Sequence, residues 1–193
     1  MSIGMPLKIH GATVGVEIKA DNASQIPFRV KNSSGADLFT INGDGTITNS
    51  TSALGIDQTI SVAVSNAELS ALRATPKTLV AAPGTGKYLE FVSAVLFLDY
   101  GTVGFTESAD NMAIRYTDGS GTIVSQAIEC TGFIDQTADT STNALPKVDA
   151  ISAKSACENK ALVLHNTGDG EWGNSGDSVM RVKITYRIHS TGW

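Results

Sequence analysis

Three short strand patterns separated by two glycine turns occupy residues 26–48, and they leave this stretch with very little core of its own. Apolar and polar residues alternate from Ile26 to Lys31, which predicts a strand with one buried face. Residues 32–35 and 42–45 contain the Asn, Asp and Gly residues that are typical of tight turns. A unit below about 40 residues rarely folds without a staple or a partner. Because this stretch has no cysteine pair, metal cluster or helix, we expect another copy of the chain to be its partner.

The order of aromatic, aliphatic, glycine and aspartate residues in this stretch resembles the small β-repeats of fibre and decoration proteins from tailed bacteriophages. The resemblance rests on Phe28, Val30, Asn32, Gly35, Phe39, Ile41, Asp44, Gly45, Thr46 and Ile47. It implies a homotrimer, and it places Phe28, Val30, Phe39, Ile41 and Ile47 at the trimer interface. The alternative is an ordinary β-meander within a monomeric sandwich.

Composition excludes several classes of protein. The chain has 193 residues, of which 41% are hydrophobic, so it can form a globular core. The net charge is −5 and no two Lys or Arg residues are adjacent, which argues against nucleic-acid binding because phosphates require clustered positive charge. The apolar-rich residues 88–100 are interrupted by Glu90, Ser93 and Asp99, so we expect a strand pair or one long strand there and no membrane span. The N-terminus lacks a secretory hydrophobic region of normal length.

One helix and many strands predict an all-β protein. Ser65 and Glu68 form a capping-box pattern that begins a helix over about residues 66–73, and Pro76 ends it. The last strand alternates cleanly, with Met180, Val182, Ile184, Tyr186 and Ile188 on its apolar face. Strands are expected near residues 59–64, 78–82, 88–100, 112–116, 122–128, 148–151, 161–165 and 178–189. This pattern predicts an antiparallel, jelly-roll-like β-sandwich with one short helix, preceded by a small N-terminal β-hairpin or β-prism module.

We therefore expect two modules, residues 1–64 for attachment and trimerisation and residues 65–193 for the sandwich. The stretch 69–100 and the chain end, from Lys160 through the last strand, also resemble phage structural proteins. Cys130 and Cys157 are interpreted as two buried free thiols of a chain made in the host cytoplasm, with one disulfide as the alternative.

No pattern for catalysis, a cofactor or a metal is evident. Residues 81–87 look superficially like a phosphate-binding loop, but Ala81 replaces its first glycine and Tyr88 replaces its Ser or Thr, so a turn between strands is expected. The histidines His10, His165 and His189 have no partner at metal-ligand spacing. Asp169, Glu171 and Asp177 could offer oxygen ligands to calcium, although a solvated acidic loop is the expected state.

Two functions remain after these exclusions. The first is a non-enzymatic, homotrimeric capsid decoration or head-fibre protein, located on the capsid surface of the virion, whose partners are its own copies and the phage major capsid protein. The alternative is a short tail-fibre or receptor-binding protein that recognises host surface glycans. In that alternative Trp172, Tyr116 and Tyr100 would be exposed aromatic residues that stack on sugars, although Trp172 could equally cover the end of the sandwich core. Neither function involves nucleic acid or a membrane.

Overall fold

The computed structural model describes residues 28–31, 33–35, 37–41, 47–49, 55–107, 111–173 and 175–192. The chain divides into two compact units, Met1–Ser50 and Thr51–Trp193. Among the described residues, no helix has the length and apolar character needed to span a membrane. The predicted turn at residues 42–45 lies outside the described residues.

The first unit contains a three-stranded antiparallel sheet formed by consecutive strands. Its strands are β1 (Phe28–Lys31), β2 (Asp37–Ile41) and β3 (Ile47–Asn49), in the order β1-β2-β3. Gly35 ends the first turn with a φ of 85°, a left-handed conformation that glycine adopts without steric cost. The three predicted strands and the first glycine turn are therefore confirmed.

The second unit contains two four-stranded antiparallel sheets. The strands of this unit are β4 (Gln58–Val64), β5 (Lys77–Val80), β6 (Lys87–Asp99), β7 (Asn111–Tyr116), β8 (Ile128–Glu129), β9 (Thr140–Ala144), β10 (Leu162–Asn166) and β11 (Val179–Ser190). One sheet has the order β4-β11-β6-β9, and the other has the order β5-β10-β7-β8. We call them the long sheet and the short sheet.

The strand order is that of a jelly roll. Counted within the second unit, the long sheet joins the first, eighth, third and sixth strands, and the short sheet joins the second, seventh, fourth and fifth. The chain thus crosses repeatedly from one sheet to the other, as it does in a double Greek key. The predicted all-β, jelly-roll-like sandwich is confirmed.

The core lies between the two sheets. Strand β11 alternates between buried and exposed residues along most of its length, as its sequence predicts. The buried side chains of both sheets and of the first helix form one hydrophobic cluster, whose fully buried members include Leu69, Leu72, Leu89, Leu96, Leu98, Met112, Ile114, Ile128, Ile134, Leu162, Leu164 and Ile184. The other face of each sheet points away from this cluster and forms part of the protein surface.

Two short helices occur among the described residues, where the sequence predicted one. Helix α1 (Asn66–Ser70) begins at the predicted capping box, in which Ser65 and Glu68 bond each other's backbone amides. It is shorter than predicted, and turns continue the chain beyond Ser70. Helix α2 (Lys154–Cys157) is a single turn with no side-chain cap, so it carries no sequence signal for its start.

The predicted boundary at residue 64 is wrong. Strand β4 pairs with β11 over its whole length, from Gln58 opposite Tyr186 to Val64 opposite Met180, so it belongs to the sandwich. The division after Ser50 falls within the polar run at residues 48–53, which has the composition of a connector.

One predicted strand of the second unit is also absent from the structure. Residues 148–151 form no strand, and Val148 and Ile151 are 95% and 90% exposed.

Candidate functional site

The first unit gathers the five proposed interface positions on one face of its sheet. The register places Phe28 opposite Ile41 and Ile41 opposite Ile47, and it places Val30 opposite Phe39. Directly opposed residues share a face, and so do residues two apart on one strand. All five positions therefore lie on the same face. We call this set the apolar face of the first unit.

Solvent reaches the part of this face whose side chains are described. The Val30 side chain is 40% exposed, and Ile41 is half-buried. Arg29 lies on the opposite face and is also exposed, as expected for a charged residue. Val30 and Ile41 remain accessible to solvent, and accessible aliphatic residues on so small a sheet are a candidate surface for association.

Trp172 is not a surface aromatic residue, so this prediction is wrong. Its side chain is 5% exposed and packs against Phe105, with 6.1 Å between the ring centroids. The alternative, in which Trp172 covers part of the sandwich core, is confirmed. The loop that carries it is held down because Gly173 and Thr106 exchange two backbone hydrogen bonds, with N···O distances of 3.1 and 2.8 Å. Trp172 therefore cannot stack on a glycan without the loop opening.

Tyr116 is also buried, at 5% exposure, which overturns its predicted role as an exposed aromatic residue. Its hydroxyl donates a hydrogen bond to the Leu89 carbonyl oxygen at 2.5 Å. Burial raises the pKa of this phenol, and the hydroxyl remains protonated as a donor at neutral pH. Tyr116 bonds β7 of the short sheet to β6 of the long sheet. Tyr100 is half-buried, and its hydroxyl donates to the Thr102 carbonyl oxygen.

Two of the acidic residues considered for calcium, Glu171 and Asp177, serve as acceptors for backbone amides. Asp177 accepts hydrogen bonds from the amides of Thr102 and Val103 at 2.7 and 2.8 Å, and these bonds lower the pKa of its carboxyl. The two carboxylate oxygens of Glu171 accept from the amides of Arg73 and Ala74. Within the described ranges, no group of three or more His, Cys, Asp or Glu side chains could hold a metal ion.

The glycine-rich residues 81–86 form the connection between β5 and β6, as predicted. The amide of Gly84 donates to the Asn159 side chain, and the amide of Gly86 donates to the Glu158 carboxylate, each at 2.9 Å. Amides that a phosphate-binding loop would present to its ligand are therefore already bonded within the chain. This connection is a structural turn.

The two described histidines, His165 and His189, occupy separate places in the sandwich. His189 stacks on Tyr88, and its Nε2 lies 2.7 Å from a Glu90 carboxylate oxygen. His165 lies on the short sheet next to Arg115. His10 lies outside the described residues. Cys130 is buried and Cys157 is half-buried, and both are free thiols.

A groove on the outer face of the long sheet has no signal in the sequence. Its volume is about 820 Å³, and Phe97, Val179 and Arg181 lie along it. Phe97 and Val179 are 44% and 39% exposed. Phe97 and Arg181 are direct neighbours in the register of β6 and β11, a pairing that only the folded sheet creates.

The chain was compared with known protein families, proteins and structures. No protein-family model, no curated protein and no solved structure matches the chain.

Proposed function

We propose that this chain is a non-enzymatic structural protein of a tailed-bacteriophage particle, and that it acts as a homotrimeric capsid decoration or head-fibre protein. The observation that carries the proposal is the apolar face of the first unit. Five aliphatic and aromatic positions share one face of a three-stranded sheet, and Val30 on that face is 40% exposed. The trimeric state and the location on a phage particle are taken from the resemblance of this stretch to phage β-repeats.

Association of three such faces would supply a core for the three-stranded sheet that the structure describes. Burial of apolar surface stabilises by about 25 cal/mol per Å². Three copies that turn their apolar faces toward a common axis would exclude water from Phe28, Val30, Phe39, Ile41 and Ile47. Since the sheet alone is small, its folding would depend on association, and its apparent stability would rise with protein concentration.

The second unit supports the same proposal by its architecture. Its strand order is a jelly roll, an arrangement found in viral capsid and lectin domains. This support is an analogy of fold, because one fold serves many functions. In the proposed particle the jelly roll projects from the capsid, and the first unit holds the trimer together and attaches it. The bound trimer would contact the major capsid protein and brace neighbouring capsid subunits.

Glycan recognition is not proposed as a second function. It depended on aromatic side chains available at the surface, and both Trp172 and Tyr116 are 5% exposed. Of the three aromatic residues named for the receptor-binding alternative, only Tyr100 remains partly accessible, and its hydroxyl already bonds the Thr102 carbonyl oxygen.

Electron cryomicroscopy of phage particles that carry this chain tests its location. We expect trimeric density for the chain on the capsid shell, and we expect the density to disappear from particles made without the chain. A matched preparation reconstituted with purified protein should restore it. Density at the tail tip, with a bare capsid shell, would contradict the decoration function.

A further inference from the structure

A cavity on the outer face of the short sheet collects positive charge in a chain whose net charge is −5. Its volume is about 660 Å³, within the range of small-molecule pockets. Arg73, Arg115 and His165 line it, together with Thr167 and Glu171. Arg115 lies on β7 and His165 on β10, which are paired strands, and Arg73 lies in the turn after α1. We call this space the arginine cavity.

The guanidinium of Arg115 is held in a fixed position. Its Nε and Nη2 both donate to the Gly121 carbonyl oxygen, at 2.9 and 2.7 Å, and its Nη1 lies 3.1 Å from His165 Nδ1. A guanidinium has five N–H groups. These contacts use three of them, so one N–H on each terminal nitrogen has no partner among the described residues. Arg115 is therefore positioned in advance to donate to a ligand.

His165 is a neutral support for this arginine. Because Arg115 can only donate, His165 Nδ1 must accept, and the ring therefore carries its proton on Nε2. His165 is 7% exposed, and burial, followed by the charge of Arg115, lowers its pKa. At neutral pH the ring adds no charge of its own, and its role is to orient Arg115.

The nearby carboxylates do not neutralise the two arginines by direct contact. Glu171 accepts from the backbone amides of Arg73 and Ala74, and Asp118 accepts from the amide and hydroxyl of Ser120. Neither the Arg73 nor the Arg115 guanidinium forms an ion pair within the described part of the chain. Two arginines that line one cavity and form no ion pair among the described residues are suited to bind carboxylate or phosphate oxygens, although Glu171 also lines this cavity.

We propose that the arginine cavity binds the anionic group of a small molecule, a carboxylate or a phosphate, with Arg73 and Arg115 as its positively charged donors and His165 as a positioning residue. The cavity has room for a ligand larger than a bare anion. This site is separate from the apolar face of the first unit. It does not depend on the trimer.

Titration calorimetry on the full chain tests this site with three probes, which are inorganic phosphate, glucuronate as a carboxylate sugar, and glucose as the neutral control. We expect millimolar or tighter binding of phosphate or glucuronate and none of glucose, and the preferred anion identifies the charged group. Failure of both anions to bind, or equal binding of glucose, would overturn the proposal.

Two matched variants assign the binding to the cavity. Arg73→Gln removes a guanidinium that makes no recorded side-chain bond, so it should leave thermal unfolding unchanged and weaken anion binding at least about tenfold, the factor that 1.4 kcal/mol represents. Arg181→Gln makes the same charge change on the long sheet and should leave the affinity unchanged. Equal weakening in the two variants would show that only net charge matters and would overturn the site. His165→Gln should weaken binding through loss of the Arg115 contact.

Discussion

Glu68 combines the start of helix α1 with an ion pair. Its carboxylate accepts a hydrogen bond from the Ser65 amide at 2.9 Å and lies 2.5 Å from Lys77 Nζ. The bond to Lys77, followed by the bonds to Ser65, lowers the pKa of Glu68 from 4.5 to about 2. A carboxyl whose pKa is lowered on folding stabilises the fold above the unfolded pKa, and this contribution is lost as the pH falls toward the folded value.

Glu68→Gln should therefore destabilise the chain at pH 7 and leave it nearly unaffected near pH 2. Because the Glu68 side chain is 42% exposed, solvent screens the pair and the expected loss at pH 7 is about 0.3–1 kcal/mol. Urea unfolding of the wild-type chain and of the Glu68→Gln variant between pH 7 and pH 2 measures this loss. The difference between their free energies of unfolding should narrow below about pH 4.5.

Asp149→Asn, which removes a carboxylate that is 81% exposed, is the control and should change stability by less than about 0.5 kcal/mol at pH 7. A difference that does not depend on pH would contradict the assignment.

At the scale of single residues, the sequence reveals local chemistry and misses contacts made across the fold. The capping box of Ser65 and Glu68 could be predicted because both residues lie within one helical turn. Trp172 was misplaced because its glycine-rich surroundings suggest an exposed loop, whereas a distant segment, Phe105 and Thr106, holds that loop against the core. The contact between Arg115 and His165 was missed for the same reason, since strand register alone brings them together.

Strand β11 is the central element of the sandwich. It pairs with β4 on one side and with β6 on the other, and the second ladder extends from Val179 to Ser190. Its inward residues are buried, and Ile184 is 0% exposed. The outward residue beside it, Lys183, is exposed. The long sheet therefore depends on the inward face of β11.

Ile184→Ala should cost about 2–5 kcal/mol of unfolding free energy, because it removes buried methyl groups and leaves a cavity in a packed core. Lys183→Ala, one position away on the solvent side, is the matched control and should change stability by less than about 0.5 kcal/mol. Chemical denaturation of the two variants provides the comparison. Similar losses of unfolding free energy in the two variants would contradict the assignment of a buried face and an exposed face to β11.

The sequence predicts strands well where one face is buried and poorly at the edges of sheets. The alternation in β11 predicts its faces because a central strand packs on the core along its whole length. Strand β9, an edge strand with the sequence Thr-Ser-Thr-Asn-Ala, buries only Ala144, so it has no periodic signal. Residues 122–128 were predicted as a strand, but only Ile128 belongs to one. At Ser125 the hydroxyl accepts the Ile114 amide and replaces a bond of the ladder.

The whole molecule combines a jelly roll, which has a large core, with a small sheet that exposes part of an apolar face. The jelly-roll class could be predicted because the sequence contains turn residues between segments in which apolar and polar residues alternate. The proposed assembly cannot be derived from the fold of one chain, and in the sequence it rests on the resemblance of residues 28–47 to phage β-repeats. The proposed trimer is therefore the claim at this scale that most needs measurement.

Val30→Asp tests whether the apolar face of the first unit mediates association. Val30 is 40% exposed in the single chain, so the new carboxylate would remain solvated in a monomer and would be buried at the proposed trimer axis. We expect the variant to dissociate while the jelly roll stays folded by circular dichroism. Ser33→Asp adds the same charge at an exposed turn position of the same unit and should remain assembled.

The molar mass of the full chain, measured by light scattering during size-exclusion chromatography at micromolar concentration, tests the proposed homotrimer. A homotrimer predicts a single species of three times the 20.1 kDa chain mass, shifted to the monomer mass by Val30→Asp and unchanged by Ser33→Asp. A folded wild-type protein that elutes with the mass of one chain would contradict it.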